Sequence, residues 1–192
     1  MPSIPEIDFG PFLKGNTAVR DRVAAEVREA CSKFGFLNIA NLPFPKGLIQ
    51  RVSSKSREFF ALSREVKDAI GRSDLDVISG YAGVTMEHLD IQQPGDLKES
   101  FSLNQASVGL LDRWNIPVAG FGEMVLELHE AGARACAVLL QAIALSVGGP
   151  EDFFVDKHAS HGSTARFFHY PPVDREPSAG QLRAGAHSDY GT

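Results

Sequence analysis

One histidine and one aspartate near the end of the 192-residue chain have a spacing that suits metal binding. His187 and Asp189 are two residues apart, and in an extended strand such residues point to the same side. An imidazole nitrogen and a carboxylate oxygen can then meet at one metal ion. They would supply two of the three ligands in the two-histidine, one-carboxylate set that binds non-haem Fe(II) and leaves three positions open. The pair therefore predicts a metal site.

The other five histidines are weaker candidates for metal ligands. His158 and His161 are three residues apart and could share a helix face, but their polar surroundings favour a solvated turn. His129 lies among apolar helix positions, which favours a packed or surface histidine. His88 falls in a predicted loop, and His169 is in a predicted strand. None of them is expected to bind metal.

The elements that must position the pair are strands near the end of the chain. Residues 164–170 are rich in β-formers and aromatic residues, and the two prolines at 171–172 end that strand. Residues 183–192 also suit a strand with small side chains. Because His169 and Tyr170 are adjacent, their side chains are expected on opposite faces of the first of these strands.

Helices are predicted over most of the first three quarters of the chain. Apolar residues recur at three- and four-residue steps in each, and capping residues or glycines mark their ends. The predicted helices cover about 17–34, 46–61, 64–70 and 122–147. Short strands are expected at 4–12, 35–40 and 99–103, with long loops and brief strands over 71–98.

Composition excludes several classes of protein. A net charge of −5 gives no support for nucleic-acid binding, and 43% hydrophobic residues indicate a folded domain. Cys31 and Cys136 are too few for a disulfide scaffold and have no partners for a zinc site. The uncharged run 135–150 is shorter than the about 18 residues of a membrane span. With no secretory signal visible, a cytoplasmic protein without nucleic-acid or membrane partners is expected.

Eight segments, in order, resemble the isopenicillin N synthase-like family of 2-oxoglutarate- and Fe(II)-dependent oxygenases. The first six are Ile-Pro-Glu-Ile-Asp-Phe at 4–9, Phe-Gly-Phe-Leu-Asn-Ile-Ala-Asn at 34–41, Arg-Glu-Phe-Phe-Ala-Leu-Ser at 57–63 with Lys67, Gly-Tyr at 80–81, Asp-Leu-Lys-Glu-Ser-Phe at 96–101 and Trp-Asn-Ile-Pro at 114–117. The last two are Arg-Phe-Phe-His-Tyr-Pro-Pro at 166–172 and the segment 183–192 that carries the His-x-Asp pair. Each segment is weakly specific, but their common order over nearly the whole chain is a specific signal.

The resemblance implies roles for three residues. His187 and Asp189 would be the first two ligands of Fe(II), and Tyr170 would hydrogen-bond a carboxylate near the iron, in many members that of 2-oxoglutarate. The implied reaction uses Fe(II), 2-oxoglutarate and O2 to hydroxylate, desaturate or cyclise a small-molecule substrate.

The resemblance also implies residues that the sequence does not contain. The family's third ligand is a histidine some tens of residues after the His-x-Asp pair, and an Arg-x-Ser motif further on holds 2-oxoglutarate. We therefore expect the chain to be a truncated oxygenase that is inactive alone. Unpaired strand edges would also make it poorly soluble.

The implied fold class is α+β, a double-stranded β-helix (jelly roll) with a helical N-terminal scaffold and an incomplete core. The expected division is an N-terminal non-haem dioxygenase region at 1–120, a long scaffold helix and connection at 121–160, and the start of the jelly-roll core at 161–192.

Two other functions compete with a truncated oxygenase. A non-catalytic fragment or interaction module could retain the N-terminal fold, and a zinc-dependent jelly-roll hydrolase could use the histidines. The hydrolase class usually has a denser histidine cluster and would not account for the N-terminal segments. A dinucleotide enzyme lacks support, because no glycine-rich strand-to-helix turn of the right spacing is present.

Overall fold

A computed structural model describes residues 3–71, 79–88, 90, 92–158, 163–174 and 176–188. The helices are α1 (Gly10–Lys14), α2 (Thr17–Lys33), α3 (Leu48–Phe60), α4 (Arg64–Asp68), a 3-10 helix (Gln105–Leu110), α5 (Phe121–Ser146) and α6 (Phe153–His158). The strands are β1 (Glu6–Asp8), β2 (Asn38–Ala40), β3 (Gly80–Ala82), β4 (Glu99–Asn104) and β5 (Thr164–His169).

The chain forms two compact units, and the division falls within α5. The helical unit comprises Met1–Leu48 and His129–Ser163, and the sheet unit comprises Ile49–Leu128 and Thr164–Thr192. Each unit therefore combines an early segment of the chain with a later one.

The helical unit is built on a short parallel pair of strands and two long helical segments. β1 pairs with β2 so that Ile7 lies opposite Ile39. The side chain of Asn16 accepts a hydrogen bond from the backbone N–H of Val19 and caps α2. Apolar residues from β1, α1, α2, α5 and the residue between β1 and α1 form one core: Ile7, Phe9, Phe12, Val23, Val27, Ala30 and Ala142.

The sheet unit is built on three antiparallel strands in the order β3-β4-β5. Phe101 in the central strand lies opposite Tyr81 on one side and Phe167 on the other. These side chains point into an aromatic core whose other large members are Phe59, Phe60 and Phe121. Phe59 is fully buried, stacks on Phe121 with centroids 4.7 Å apart and meets Phe101 edge-to-face at 5.2 Å.

The opposite face of this sheet is more polar. Ser100 and Ser102 alternate with the core residues of β4, and their partners on β5 are Phe168 and Arg166. The Arg166 guanidinium donates from Nε to Ser102 Oγ at 3.1 Å and lies 5.0 Å from the Phe168 ring centroid. Phe168 is 45% exposed, so this face presents an aromatic ring beside a cation.

The predicted helices and the two predicted strands 99–103 and 164–170 are confirmed within two residues of their ends. The predicted strand 4–12 is too long, because Pro11 falls in the first turn of α1 and the Asp8 carboxylate accepts a hydrogen bond from the Gly10 N–H. α5 is long and apolar enough to cross a membrane by length and composition, a test that core helices of soluble proteins also pass.

The predicted strand at 183–192 is wrong for residues 183–188, which have no strand structure. The Gly185 N–H donates to the carboxylate of Asp96 rather than to a neighbouring strand. The Asp96 side chain therefore accepts the backbone hydrogen bond that a neighbouring strand would accept in a sheet. Residues 189–192 lie outside the described residues.

Candidate functional site

Tyr170 directly follows the last residue of β5. Along this strand, Phe167 is buried in the core, whereas Phe168 and Tyr170 are each 45% exposed. His169 instead lies over Phe60, with centroids 5.3 Å apart, and its Nδ1 is 2.7 Å from Glu99 Oε1. His169 therefore points to the core side of the sheet. The His169 side chain is itself 41% exposed, so exposure does not distinguish it from Tyr170, and their expected separation onto different faces stays a prediction.

His187 lies on an irregular segment rather than on a strand. Its ring is exposed, and Nδ1 is 2.9 Å from the carbonyl oxygen of Gly185. Because a carbonyl oxygen only accepts hydrogen bonds, Nδ1 carries the proton of this contact. Metal-ligating histidines commonly use one ring nitrogen in this way and coordinate through the other. The local geometry of His187 thus fits a ligand that coordinates through Nε2.

A buried ion pair holds the segment that leads to His187. Asp96 Oδ2 is 2.7 Å from Lys98 Nζ, and both side chains are 4% exposed. The second oxygen, Oδ1, accepts the Gly185 N–H at 3.0 Å. The Leu97 N–H also donates to the Leu182 carbonyl at 2.9 Å. Two hydrogen bonds therefore connect residues 96–97 to the segment 182–185, which precedes His187 by two residues.

The backbone around Asp96 is also bound from its other side. The Thr85 N–H donates to the Asp96 carbonyl at 3.0 Å, and the Asp96 N–H donates to the Glu87 carbonyl at 2.8 Å. At Gly95 the two stretches are so close that a Cβ atom would lie 2.1 Å from the Thr85 carbonyl oxygen. Only glycine fits there without displacing backbone.

A second buried network surrounds Glu99. Lys67 Nζ donates to Glu99 Oε2 at 2.8 Å and to the Phe60 carbonyl at 2.9 Å. The Tyr81 hydroxyl donates to the same carboxylate oxygen, and His169 contacts the other. Burial acts to raise the pKa of Glu99, but these three hydrogen bonds outweigh it and the pKa is lowered. Burial, and then the Glu99 carboxylate, raises the pKa of Tyr81, which keeps its hydroxyl a donor.

The segments that carry Tyr170 and His187 meet directly. Arg183 Nη1 donates to the carbonyl oxygen of Pro171 at 3.0 Å. Pro171 follows Tyr170, and Arg183 lies four residues before His187. The Arg183 side chain thus links the segments that carry Tyr170 and His187, two of the three residues that the sequence singled out.

The third residue, Asp189, lies outside the described residues, so its place beside His187 stays a prediction. Within the described part of the chain, no group of three or more His, Cys, Asp or Glu side chains is placed to hold a metal ion. The roles assigned to His187, Asp189 and Tyr170 are therefore predictions that rest on the resemblance and on the local fit of His187.

The remaining described histidines have structural contacts. His129 is 5% exposed, and its Nε2 is 2.8 Å from the Ser163 carbonyl. His158 ends α6, with Nδ1 2.7 Å from the Phe154 carbonyl, and His88 Nδ1 is 3.2 Å from the Gln93 carbonyl. His161 lies outside the described residues.

Sequence reasoning missed the two buried networks. It identified residues 96–101 only as a segment typical of the family. The signal was nevertheless present, because Asp96, Lys98 and Glu99 are three charges just before and at the first residue of an alternating strand. Charged residues are rarely buried unless paired, so charges entering a core strand indicate buried ion pairs.

Three comparisons with known proteins agree on one family. The family model described as the N-terminal region of non-haem dioxygenases in morphine synthesis matches residues 4–113. A 2-oxoglutarate-dependent dioxygenase of Aspergillus rugulosus, htyE, is 28% identical over 99% of this chain and 62% of its own length. The proline hydroxylase buaE of Petromyces alliaceus is 27% identical over 98% of this chain and 62% of its own length.

A solved structure has the same fold. The crystal structure of a full-length Neurospora crassa protein in complex with alpha-KG and thymine is 25% identical, with a TM-score of 0.78. The match covers 98% of this chain and 62% of that one. The predicted oxygenase fold is therefore confirmed, and the chain spans about 62% of the length of these relatives.

Proposed function

Because the chain belongs to the non-haem dioxygenase family, we propose that it contributes to an Fe(II)- and 2-oxoglutarate-dependent oxidation of a small molecule. The observation that carries the proposal is the junction of the Tyr170 and His187 segments through Arg183 and Pro171, at 3.0 Å. The bound metal would supply activation of O2 with 2-oxoglutarate as the co-reductant. The protein's part is to place and shield the reactants.

In this proposal His187 and Asp189 would be two of the metal ligands. The Gly185 carbonyl fixes the His187 ring and its tautomer through Nδ1, so that Nε2 is the coordinating atom. The Tyr170 hydroxyl orients a carboxylate of the cosubstrate or substrate by a charge-assisted hydrogen bond. The resemblance also implies a third ligand and an Arg-x-Ser motif at positions after the His-x-Asp pair.

The supporting relatives act on or bind small molecules, as their names state: one is a proline hydroxylase, and the Neurospora crassa protein was crystallised with thymine. We accordingly propose a small-molecule substrate for this protein. The two names point to chemically different small molecules, so the proposal remains at the level of the class.

An anaerobic titration with Fe(II) and 2-oxoglutarate tests the proposal on this chain. We expect the visible charge-transfer absorption of an Fe(II)–2-oxoglutarate chelate. His187→Ala should abolish it, and His88→Ala, which removes another exposed histidine, should leave it unchanged. An equal signal in the His187→Ala variant, or no signal in the unmodified chain, would contradict the proposed metal site.

A further inference from the structure

The four residues 96–99 connect to both segments of the proposed site. Asp96 and Lys98 lie on the polar side of the sheet, where Lys98 Nζ is 5.6 Å from the Phe168 ring centroid. Glu99 lies on the core side with Lys67 and Tyr81. We infer that residues 96–99 are a positioning element. Asp96 fixes the position of the segment that carries His187, and Glu99 fixes the position of the segment that carries Tyr170. This inference rests on the proposed function for its catalytic meaning.

The first contact of this element acts through Asp96. Its Oδ1 receives the buried Gly185 N–H at 3.0 Å, two residues before His187. The same Gly185 contributes the carbonyl that fixes His187 Nδ1. Gly185 thus donates its N–H to Asp96, and its carbonyl oxygen accepts the hydrogen bond from the His187 ring. A shift of Gly185 would therefore turn the His187 ring.

Lys98 makes this use of a buried carboxylate possible. An unpaired buried charge is costly, and the Lys98 ammonium at 2.7 Å compensates Asp96 through Oδ2. Oδ1 remains available for Gly185. The division of the two oxygens between a cation and a backbone N–H explains why an ion pair, rather than an apolar contact, occupies this position.

The second contact of the element acts through Glu99. Its Oε1 contacts His169 Nδ1 at 2.7 Å, and Glu99 and His169 are opposite residues in the β4–β5 register. Tyr170 is the next residue after His169. Lys67 and Tyr81 fix the other oxygen of Glu99, so the carboxylate itself cannot rotate freely. The end of β5, and with it the starting direction of Tyr170, is therefore set by Glu99.

Two double variants separate positioning by Asp96 from the charge of the ion pair. Asp96→Asn with Lys98→Met is neutral and keeps an oxygen acceptor for Gly185. Asp96→Leu with Lys98→Met is equally neutral and similar in size, but it has no acceptor. Amide hydrogen exchange, followed residue by residue by NMR, reports on Gly185 without any metal.

We expect exchange of the Gly185 amide to be roughly fivefold to tenfold faster in the Leu variant than in the Asn variant, since one net hydrogen bond is lost. The α5 amides within the sheet unit should exchange alike in both. Equal Gly185 exchange in the two variants would overturn the inference. Faster exchange throughout the sheet unit would do the same, because it would indicate a merely structural role.

Glu99→Gln tests the second contact in the same experiment. Amides at 168–170 should exchange faster, whereas Gly185 should remain as in the unmodified chain. Glu123→Gln, an exposed carboxylate in the sheet unit, is the matched control and should alter neither segment. Identical exchange profiles for Glu99→Gln and Glu123→Gln would refute the role of Glu99.

Titration with Co(II), an O2-stable substitute for Fe(II), then relates positioning to the metal site. The variant with Asp96→Leu and Lys98→Met should bind Co(II) more weakly than the variant with Asp96→Asn and Lys98→Met. The variant that binds more weakly should also be the one in which the Gly185 amide exchanges faster. If the unmodified chain binds no Co(II), the proposed function fails, and the exchange result still decides on the positioning element. Equal Co(II) affinity in two variants that differ at Gly185 would show that the element does not act on His187.

Discussion

The helical unit and the sheet unit bury different kinds of residue. Of the nine buried polar or charged residues in the described chain, eight lie in the sheet unit and only His129 lies in the helical unit. The eight are Lys67, Ser79, Asp96, Lys98, Glu99, Ser100, Ser102 and Ser107. The helical core is mainly aliphatic, whereas the sheet core is mainly aromatic with charged networks at its margin.

The difference shows where precise geometry is needed. Apolar packing is non-directional, so it holds the helices of the first unit together without fixing individual backbone groups. Hydrogen-bonded carboxylates are directional, and in the sheet unit they bind the two segments that carry His187 and Tyr170. Burying charges costs free energy and can add little net stability. We interpret these networks as a means of specifying the site rather than of stabilising the fold.

The largest effect is expected in the aromatic core. Phe59→Ala removes a fully buried ring that contacts Phe60, Tyr81, Phe101 and Phe121. It should lower the free energy of unfolding by about 4 kcal/mol, as expected for truncation of a buried phenylalanine. Urea denaturation measures the change. Phe36→Ala in the helical unit, where the ring is 70% exposed, should change stability little; a comparable loss there would contradict the assignment of the two cores.

The next largest effect should come from breaking the buried ion pair between Lys67 and Glu99. Lys67→Met leaves the Glu99 carboxylate in the core without its cation, and we expect a loss of about 3 kcal/mol in urea denaturation. Lys33→Met is the matched change in the helical unit, where the pair with Glu29 is exposed. It should have no measurable effect. If both lysines prove equally dispensable, the contrast between the units is not one of buried charge.

A pH titration of stability should give a smaller effect with a defined sign. The pKa of Glu99 in the folded chain is lowered from its ordinary value of 4.5, so its ionised form contributes stability above that pH. This contribution is lost as the pH falls through the lower folded-state pKa. The stability difference between the unmodified chain and Glu99→Gln should therefore shrink below about pH 4.5.

The helical unit provides the comparison for this titration. The pKa of Asp8 is also lowered, through hydrogen bonds from the Asn41 side chain and the Gly10 backbone, but Asp8 lies at the surface. Asp8→Asn should therefore give a change of the same sign and smaller size. A constant difference for Glu99→Gln from pH 7 to pH 3 would count against the carboxylate network.

The smallest effect is expected at a helix end of the helical unit. Asn16→Ala removes the side-chain oxygen that accepts the Val19 N–H at the start of α2. The expected loss is about 1 kcal/mol in thermal or urea denaturation. Asn16→Asp should restore most of it, because aspartate caps helices equally well. Failure of that rescue would indicate that Asn16 acts other than as a cap.

Local patterns in the sequence predicted much of the fold. The ends of α2 and α5 followed from a capping residue and from glycines, which act within one helical turn. The core strands β4 and β5 followed from alternation and aromatic content. At 183–188 the same reasoning failed, because the partner of Gly185 is a side chain 89 residues away rather than a strand.

The candidate site could be predicted only in part for the same reason. The spacing of His187 and Asp189 is local and visible in the sequence. The partners of Asp96 and Glu99 depend on contacts between segments far apart in the chain, such as Glu99 with His169. Local spacing does not reveal such contacts.

The close backbone approach at Gly95 limits how the protein can be altered. Gly95 has no room for a side chain beside the Thr85 carbonyl, and the next residue is Asp96. A substitution at Gly95 would push the Asp96 backbone away from the loop at 85–87 and transmit the displacement to Gly185. Mutational libraries of this segment should therefore leave position 95 constant.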